Sequence, residues 1–280
     1  MAEGTATEPI EIVAGRSSYS GLELLEAKPL GGETSGPPIL FVHGASHGAW
    51  CWRDWMEAAA SKGHHAFAVS LRGHAGSPGS LLTGRLSTYV DDVIRTAASL
   101  PGPPVLVGHS LGGLVVQKAA ERYPAAGIVL VATIPARPGL GTLLRIATSN
   151  PADFVKISLG GSLPMRPEYL FRELSPEEAE SWSAMCGKES PVAQMQVLLH
   201  RVPGPPRGDP PVLVLGAPDD ALVPAGDVRD TARRLSAELI EFPGTGHDLM
   251  LDGSRDEVAD ALLDWIETRV DSRAPGGVPA

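Results

Sequence analysis

A serine stands between two glycines in the pentapeptide GHSLG, which runs from Gly108 to Gly112. An apolar run precedes Ser110 and a helical pattern follows it, so the serine lies where a strand gives way to a helix. Such a junction exposes a serine hydroxyl on a tight turn, whose neighbours must nearly lack side chains. The free N–H groups at the start of the helix favour a negatively charged oxygen. The pattern predicts that Ser110 is a nucleophile.

A serine needs a general base to attack a carbonyl carbon at neutral pH. His247, in the stretch FPGTGHDLML, follows the last predicted strand and precedes the last predicted helix. The remaining histidines lie in other motifs, in a loop or at element ends, which favours structural or surface roles. They are His43, His47, His64, His65, His74, His109 and His200. We therefore predict that His247 is the base.

A third residue must accept the other imidazole proton and hold the tautomer. The stretch PVLVLGAPDDALVP offers two adjacent carboxylates after an apolar strand, Asp219 and Asp220. Only one of them can bind the histidine. The spacing to Val223 and Pro224 favours Asp220, in which case Asp219 is exposed or caps the turn.

Acyl transfer also requires two donors for the oxyanion. The first is expected to be the backbone N–H of Leu111, directly after the nucleophile. The second is expected from the loop after PILFVHG (38–44), where Ala45 follows and its small side chain leaves the backbone open. We predict that both N–H groups lie within about 3 Å of one point near Ser110.

Short apolar runs alternate with helical patterns along most of the chain. The opening segments IEIVA and LELLEAKPL predict an antiparallel pair of strands. Further strands are predicted at 38–44, 65–71, 104–109, 126–134, 211–217 and 237–244, and helices at 51–63, 86–100, after Ser110 and at 254–270. Nearly continuous apolar strands are typical of a parallel sheet covered on both faces. The fold class predicted is α/β, with a doubly wound, mostly parallel sheet.

The interval 136–209 shows helical patterns and no strand, and it is too long for a loop. We interpret it as a helical cap inserted into an α/β core of residues 9–135 and 210–271. Ser175 and Pro176 indicate an N-cap and first turn of one cap helix. Most apolar cap residues are expected to pack against the core: Leu143, Leu144, Phe154, Leu159, Met165, Phe171, Trp182, Met185, Met195 and Leu198. Residues 1–8 and 272–280 are predicted to be disordered.

The composition limits the kinds of partner and indicates the cellular compartment. The chain has 280 residues, 43% of them hydrophobic, and a net charge of −10 with no basic run, which argues against a nucleic-acid partner. Cys51 and Cys186 form no disulfide framework, and Cys51 is expected to be a buried hydrophobe. No secretory signal and no apolar run of about 20 residues is present, so we expect a cytoplasmic protein without a membrane span. No ligand spacing predicts a metal, and no cofactor is expected.

The segment VHGASHGAWCW (42–52) resembles the oxyanion-loop motif of the methylesterase and hydroxynitrile-lyase branch of the α/β-hydrolase superfamily, and of related bacterial esterases. The resemblance covers nearly all of residues 10–270, and the order Ser110, Asp220, His247 is that of this fold. It implies Ala45 as an oxyanion donor and structural or supporting roles for His43 and His47. It also implies cofactor-independent ester hydrolysis.

Two positions depart from the pattern of that branch. Asp248 follows the candidate base where the hydroxynitrile lyases carry a lysine, which argues against cyanide elimination. Ser70 stands where the family usually has an acidic residue two places before Arg-Gly, in a loop that is normally structural.

The leading hypothesis is a serine esterase for a neutral, small and largely apolar substrate. The same residues would also serve cleavage of a thioester, a lactone or a C–C bond, or acyl transfer to an alcohol, as in natural-product metabolism. A ligand-binding protein on a hydrolase scaffold is a minor alternative. The sequence carries no signal for the oligomeric state or for the residues that contact the substrate.

Overall fold

A computed structural model of the protein describes residues 10–32, 34–136 and 140–271. The two ends that were predicted to be disordered, 1–8 and 272–280, lie outside these described residues. No helix in the described ranges is long and apolar enough to cross a bilayer.

The described residues form one eight-stranded sheet, and the predicted fold class is confirmed. Its strands are β1 Ile12–Arg16, β2 Glu23–Ala27, β3 Ile39–Val42, β4 Ala66–Val69, β5 Val105–His109, β6 Gly127–Val131, β7 Val212–Gly216 and β8 Glu238–Glu241. They lie in the order β1-β2-β4-β3-β5-β6-β7-β8. β2 pairs antiparallel with β1 and β4, and all pairs from β4 to β8 are parallel. Every residue of β3, β4, β5, β6 and β7 is buried, as expected for strands covered on both faces.

The core helices are α1 Arg53–Ser61, α2 Leu86–Ala98, α3 Leu111–Ala120, α9 Ala225–Leu235 and α10 Arg255–Arg269. After β3, the chain first crosses the sheet toward one edge to form β4. It then returns past β3 and continues toward the other edge, from β5 to β8. Because parallel crossovers are right-handed, this reversal places α1 on one face and α2, α3 and α9 on the other. α10 packs against α1 and completes its layer. The reversal also creates a crevice at the carboxyl ends of β3 and β5, where sites of such sheets form.

Between β6 and β7 the described residues form five helices: α4 Leu140–Ser149, α5 Pro151–Ser158, α6 Pro167–Leu170, α7 Pro176–Met185 and α8 Pro191–Leu199. Each of the last four begins with a proline, whose missing N–H costs a helix nothing at that position. Ser175 caps α7, as predicted: its hydroxyl accepts from Glu178 N–H, and the Glu178 side chain accepts from Ser175 N–H. We call residues 140–199 the cap helices.

The local structure differs from the sequence analysis in two respects. α9 was not predicted, since charged residues dominate its sequence AGDVRDTARRL and leave only a short apolar stripe. The expectation that the apolar cap residues pack mainly on the core fails as well. Leu144, Leu159, Met185 and Met195 are exposed, and Leu143, Met165 and Leu198 line a cavity.

Candidate active site

Ser110 lies on a strained turn between β5 and α3. Its φ of 50° and ψ of −116° are unfavourable for a residue with a side chain, and such strain concentrates at functional positions. The Ser110 N–H donates to Val131 O over 2.9 Å, which anchors the turn to β6. A Cβ at Gly108 would lie 2.6 Å from Gly112 O, and one at Gly112 would overlap the end of β3. The two glycines are therefore needed for close packing, as the pentapeptide predicts.

The structure brings the three predicted side chains into one chain of hydrogen bonds. His247 Nε2 lies 2.9 Å from Ser110 Oγ, and His247 Nδ1 lies 2.7 Å from Asp220 Oδ2. The second carboxylate oxygen of Asp220 accepts from the N–H groups of Leu222 and Val223, which fixes its orientation.

Asp219 is exposed and takes no part in this chain. Its Oδ2 accepts from Gly244 N–H over 2.8 Å, so the residue ties the loop after β7 to the loop after β8. Of the two adjacent carboxylates, it is Asp220 that contacts the histidine.

The charge on Asp220 controls the protonation of His247. Burial disfavours the imidazolium, but the adjacent Asp220 carboxylate and its hydrogen bond outweigh this effect, with help from Asp248. The pKa of His247 therefore lies above its ordinary value of 6.5. A histidine in this setting accepts a proton from serine readily and remains a competent acid for the leaving group.

The loop Gly44–Gly48 follows β3, and we call it the oxyanion loop. Ala45 and Leu111 both line the cavity that contains Ser110. No hydrogen bond among the described residues occupies the N–H of Ala45, and a first-turn N–H such as that of Leu111 has no partner within its helix. Two backbone donors are thus free beside the serine.

His43 orients the peptide that carries the first of these donors. Its Nδ1–H donates to Gly44 O over 2.7 Å, and its Nε2 accepts from Leu71 N–H over 2.9 Å. These two bonds define a neutral tautomer. Burial, and then the neighbouring His74, hold the pKa of His43 well below 6.5, in agreement with that tautomer.

His47, Asp248 and His109 form a second buried polar cluster beside the first. Both nitrogens of His47 face acceptors, since Nδ1 lies 2.8 Å from Ala45 O and Nε2 lies 2.9 Å from Asp248 Oδ2. Burial alone would lower the pKa of His47, but Asp248 and then Cys186 raise it well above 6.5. Burial and the neighbouring His247 lower the pKa of His109 to about 3, so that ring is neutral.

His109, His247 and Asp248 are close enough in the described structure to surround a metal ion. His247 is already engaged, because it uses both nitrogens in the chain from Ser110 to Asp220, whereas His109 Nδ1 and Asp248 Oδ1 have no hydrogen-bond partner among the described residues. Asp248 binds His47, and His109 Nε2 lies 3.1 Å from His247 O. A metal ion held by all three residues would have to displace either Ser110 or Asp220 from His247.

The cavity above Ser110 is walled by the cap helices and is largely apolar. Its cap side includes Leu143, Ile146, Ile157, Leu163, Met165 and Leu198. No lysine or arginine belongs to the described residues that line it. A neutral molecule with an apolar body fits this lining better than an anionic one.

Two buried carboxylates that support the site were missed from the sequence. Glu189 binds the oxyanion loop through Ser46 N–H, 143 positions away. Asp252 accepts from Gly246 N–H over 2.7 Å and from two N–H groups after α6. Neither residue lies in a recognisable motif, and their partners come from distant segments, so no local signal could have identified them.

The sequence model of the alpha/beta hydrolase family matches residues 39–261 of this chain. Among curated proteins, the probable esterase PIR7A of Oryza sativa subsp. indica is 41% identical over 110 residues, which cover 37% of this chain and 42% of that protein. Methylesterase 18 of Arabidopsis thaliana is 28% identical over 196 residues, covering 61% of this chain and 74% of that protein. The match to the rice esterase thus spans only about two fifths of the length of that protein.

Solved structures share the fold over most of the chain. A thermophilic esterase from Thermogutta terrifontis superposes with a TM-score of 0.66 at 22% identity, covering 93% of this chain and 99% of that one. At this level of identity the likeness supports the fold alone.

Proposed function

Because the chain belongs to the alpha/beta hydrolase family, we propose that it is a serine esterase that cleaves a small, largely apolar carboxylic ester. The observation that carries the proposal is the unbroken hydrogen-bond chain from Ser110 Oγ through His247 to Asp220, with distances of 2.9 and 2.7 Å. Ser110 and His247 of this chain of hydrogen bonds line the apolar cavity. The relatives named as esterases and methylesterases also support an ester as the substrate.

In the first half of the reaction, His247 Nε2 takes the proton of Ser110 as Oγ bonds to the ester carbonyl carbon. The carbonyl oxygen becomes an oxyanion, which the N–H groups of Ala45 and Leu111 stabilise. Asp220 stabilises the imidazolium that forms. The C–O bond to the alcohol then breaks, the alcohol takes the proton from His247, and the acyl group remains on Ser110.

In the second half, a water molecule replaces the alcohol. His247 takes a proton from the water as its oxygen attacks the acyl carbon, and a second oxyanion forms in the same place. Collapse breaks the bond to Ser110 Oγ, which recovers its proton from His247. The carboxylic acid leaves, and the enzyme returns to its starting state.

The cavity restricts the substrate class. Its aliphatic lining offers dispersion contacts and exclusion of water to an apolar acyl or alcohol group. With no lysine or arginine among the described lining residues, nothing there offsets the desolvation of a phosphate or a free carboxylate. We therefore propose a neutral ester, without a phosphorylated or CoA-like handle.

The test uses p-nitrophenyl esters of increasing acyl length with the wild-type protein and a Ser110→Ala variant. We expect turnover that falls by at least about 10³-fold in the variant, since one member of the catalytic set is lost. A fluorophosphonate label is applied to both proteins in parallel. Labelling at Ser110 without ester turnover would show that the substrate class is wrong. A wild-type protein that neither turns over an ester nor takes up the label would overturn the whole proposal.

A further inference from the structure

One segment of the cap lies directly on the oxyanion loop. This segment, Cys186–Ser190, joins α7 to α8, and we call it the cap linker. Gly187 N–H donates to Ser46 O over 2.7 Å, and Ser46 N–H donates to Glu189 Oε2 over 3.3 Å. The backbone of Ser46 is therefore bound to the cap linker through both its carbonyl and its amide.

A pair of stacked rings continues this contact. Trp50, two residues beyond the oxyanion loop, lies parallel to Trp182 of α7, with ring centroids 6.0 Å apart and planes at 3°. Aromatic pairs at this separation attract one another beyond their burial of area. The cap is thus attached to the loop and to the turn that follows it.

Glu189 is the centre of the attachment. The residue is 3% exposed, and its carboxylate accepts from four donors. Oε1 accepts from Ser190 N–H over 2.6 Å and from the Tyr89 hydroxyl over 2.9 Å. Oε2 accepts from Ser46 N–H and lies 3.2 Å from His74 Nε2. A buried carboxylate is stable only when its charge is satisfied in this way. Because these donors occupy both oxygens, we assign Glu189 no contact with substrate, although it borders the cavity.

The bond from Ser46 bears directly on the candidate oxyanion donor. The peptide between Ala45 and Ser46 is held on both sides, since its carbonyl accepts from His47 Nδ1–H and its amide donates to Glu189. Ser46 has a φ of 65°, an unfavourable conformation that persists only when the surroundings enforce it. If Ser46 relaxes, the preceding residue, Ala45, turns with it.

We propose that Glu189 is a positioning residue, which holds the N–H of Ala45 toward the oxyanion by fixing Ser46 from the cap. The inference rests on the proposed function, because the oxyanion belongs to that reaction. In this role of Glu189, the cap helps to position a catalytic group and also forms a wall of the cavity. The Ala45 donor is in place only while the cap linker lies on the loop.

A change of Glu189 to glutamine separates this role from general stability. Glu189→Ala would leave four donors without acceptors and endanger folding, so the isosteric E189Q is the test. A glutamine amide has one acceptor oxygen and one donor nitrogen. Since Ser46 and Ser190 each direct a backbone N–H at a different oxygen, no orientation of the amide serves both. The longer bond, from Ser46, is the one we expect to be lost.

The matched control is Asp153→Asn, another carboxylate-to-amide change within the cap. Asp153 is 3% exposed and is bound by Arg166 and the Tyr169 hydroxyl, away from the oxyanion loop. We expect E189Q to lower kcat for a p-nitrophenyl ester by about tenfold to 100-fold, short of the loss of a whole oxyanion donor. KM should change less than about threefold in both variants, and D153N should retain kcat.

Amide hydrogen exchange across residues 44–48 supplies a readout that needs no ester turnover. We expect faster exchange there in E189Q than in the wild type and in D153N. Unchanged exchange and unchanged kcat in E189Q would overturn the inference while leaving the esterase proposal intact. A rise in KM with kcat unchanged would also overturn it, since Glu189 would then act on substrate binding. If the wild type hydrolyses no ester, the exchange result alone decides whether Glu189 holds the loop.

Discussion

Asp248 follows His247 in the chain, yet its carboxylate binds His47, which lies 201 positions away, with 2.9 Å between Oδ2 and Nε2. Burial alone would raise the pKa of Asp248, but His47 and then His109 outweigh burial and lower it. Two histidine–carboxylate pairs therefore lie side by side under the cavity. One orients His247, the proposed base, and the other ties the oxyanion loop to the loop that carries His247.

The buried pair of His47 and Asp248 predicts a pH-dependent stability. Because the folded-state pKa of His47 lies well above 6.5, its contribution is full below pH 6.5 and is lost as the pH rises through the folded value. Because the pKa of Asp248 lies below 3.8, its contribution is present above that pH and is lost as the pH falls through the lowered value. We expect His47→Gln to cost about 3–5 kcal/mol of unfolding free energy near pH 5.

Thermal melts of the wild type and His47→Gln from pH 5 to pH 9 provide the check. The difference in Tm should narrow as the pH rises above 6.5. His65→Gln is the control, since His65 pairs over 2.8 Å with Glu26, whose side chain is one-third exposed, and the change should cost under about 1 kcal/mol. A Tm difference that stays constant across this range would contradict an ionised pair.

The adjacent carboxylates Asp219 and Asp220 provide a matched pair of variants. Asp220→Asn should lower kcat/KM by about 10⁴-fold, because the amide no longer enforces the tautomer and charge that His247 needs. Asp219→Asn changes an exposed residue that contacts Gly244, and activity should fall less than about threefold. Initial rates of the wild type and both variants with one ester provide the measurement. Equal losses in the two variants would remove Asp220 from the assigned role.

The raised pKa of His247 predicts the acid limb of the pH profile. The base must be neutral to accept the proton of Ser110, so kcat/KM should rise with pH and level off once His247 is deprotonated. Since Asp220 raises the pKa of His247, the midpoint should lie above 6.5. A profile of kcat/KM from pH 5 to pH 9 measures it. A midpoint below 6.5 would mean that burial outweighs the carboxylate.

The parts of the site that the sequence located are those encoded locally. Ser110 and Asp220 each follow an apolar buried strand, His247 follows the edge strand β8, and strand ends of a parallel sheet meet at one edge. The glycines around Ser110 are equally local, because the turn itself demands them. The hydrophobic pattern was sufficient to predict the sheet, because its inner strands are apolar throughout.

The other parts of the fold and of the site depend on contacts between distant segments. Hydrophobic periodicity carries no information about such contacts. Glu189 reads as an ordinary acidic residue before α8, and only the fold shows that Ser46 and His74 converge on it. α9 was missed for a related reason: its buried face is short, and its stability comes from packing against β7. The position of the cap, and with it the lining of the cavity, likewise follows from tertiary contacts.

The close approach of Gly44 to the nucleophile turn yields a further prediction. A Cβ at Gly44 would lie 2.6 Å from His109 Nδ1 and 3.1 Å from Ser110 Cβ, so Gly44→Ala must push the oxyanion loop away. We expect kcat to fall by about 10²-fold, as for the loss of one oxyanion donor. Gly226→Ala is the control, because nothing lies within 4 Å of its Cβ and α9 gains a better helix former. Equal activity in the two variants, with both folded by circular dichroism, would contradict the assignment of Ala45.

Asp252 links the stability of the cap to the position of the base. Its carboxylate accepts from the N–H groups of Arg172 and Glu173 after α6, and from Gly246, which precedes His247. Asp252→Ala leaves these donors without an acceptor. We expect a loss of at least about 2 kcal/mol in urea unfolding, together with a lower kcat, since the loop of His247 loses an anchor. Asp260→Ala, which removes an exposed partner of Lys62, should change stability by less than about 1 kcal/mol. If Asp252→Ala unfolds like the control, the cap and the histidine loop are held together by other contacts.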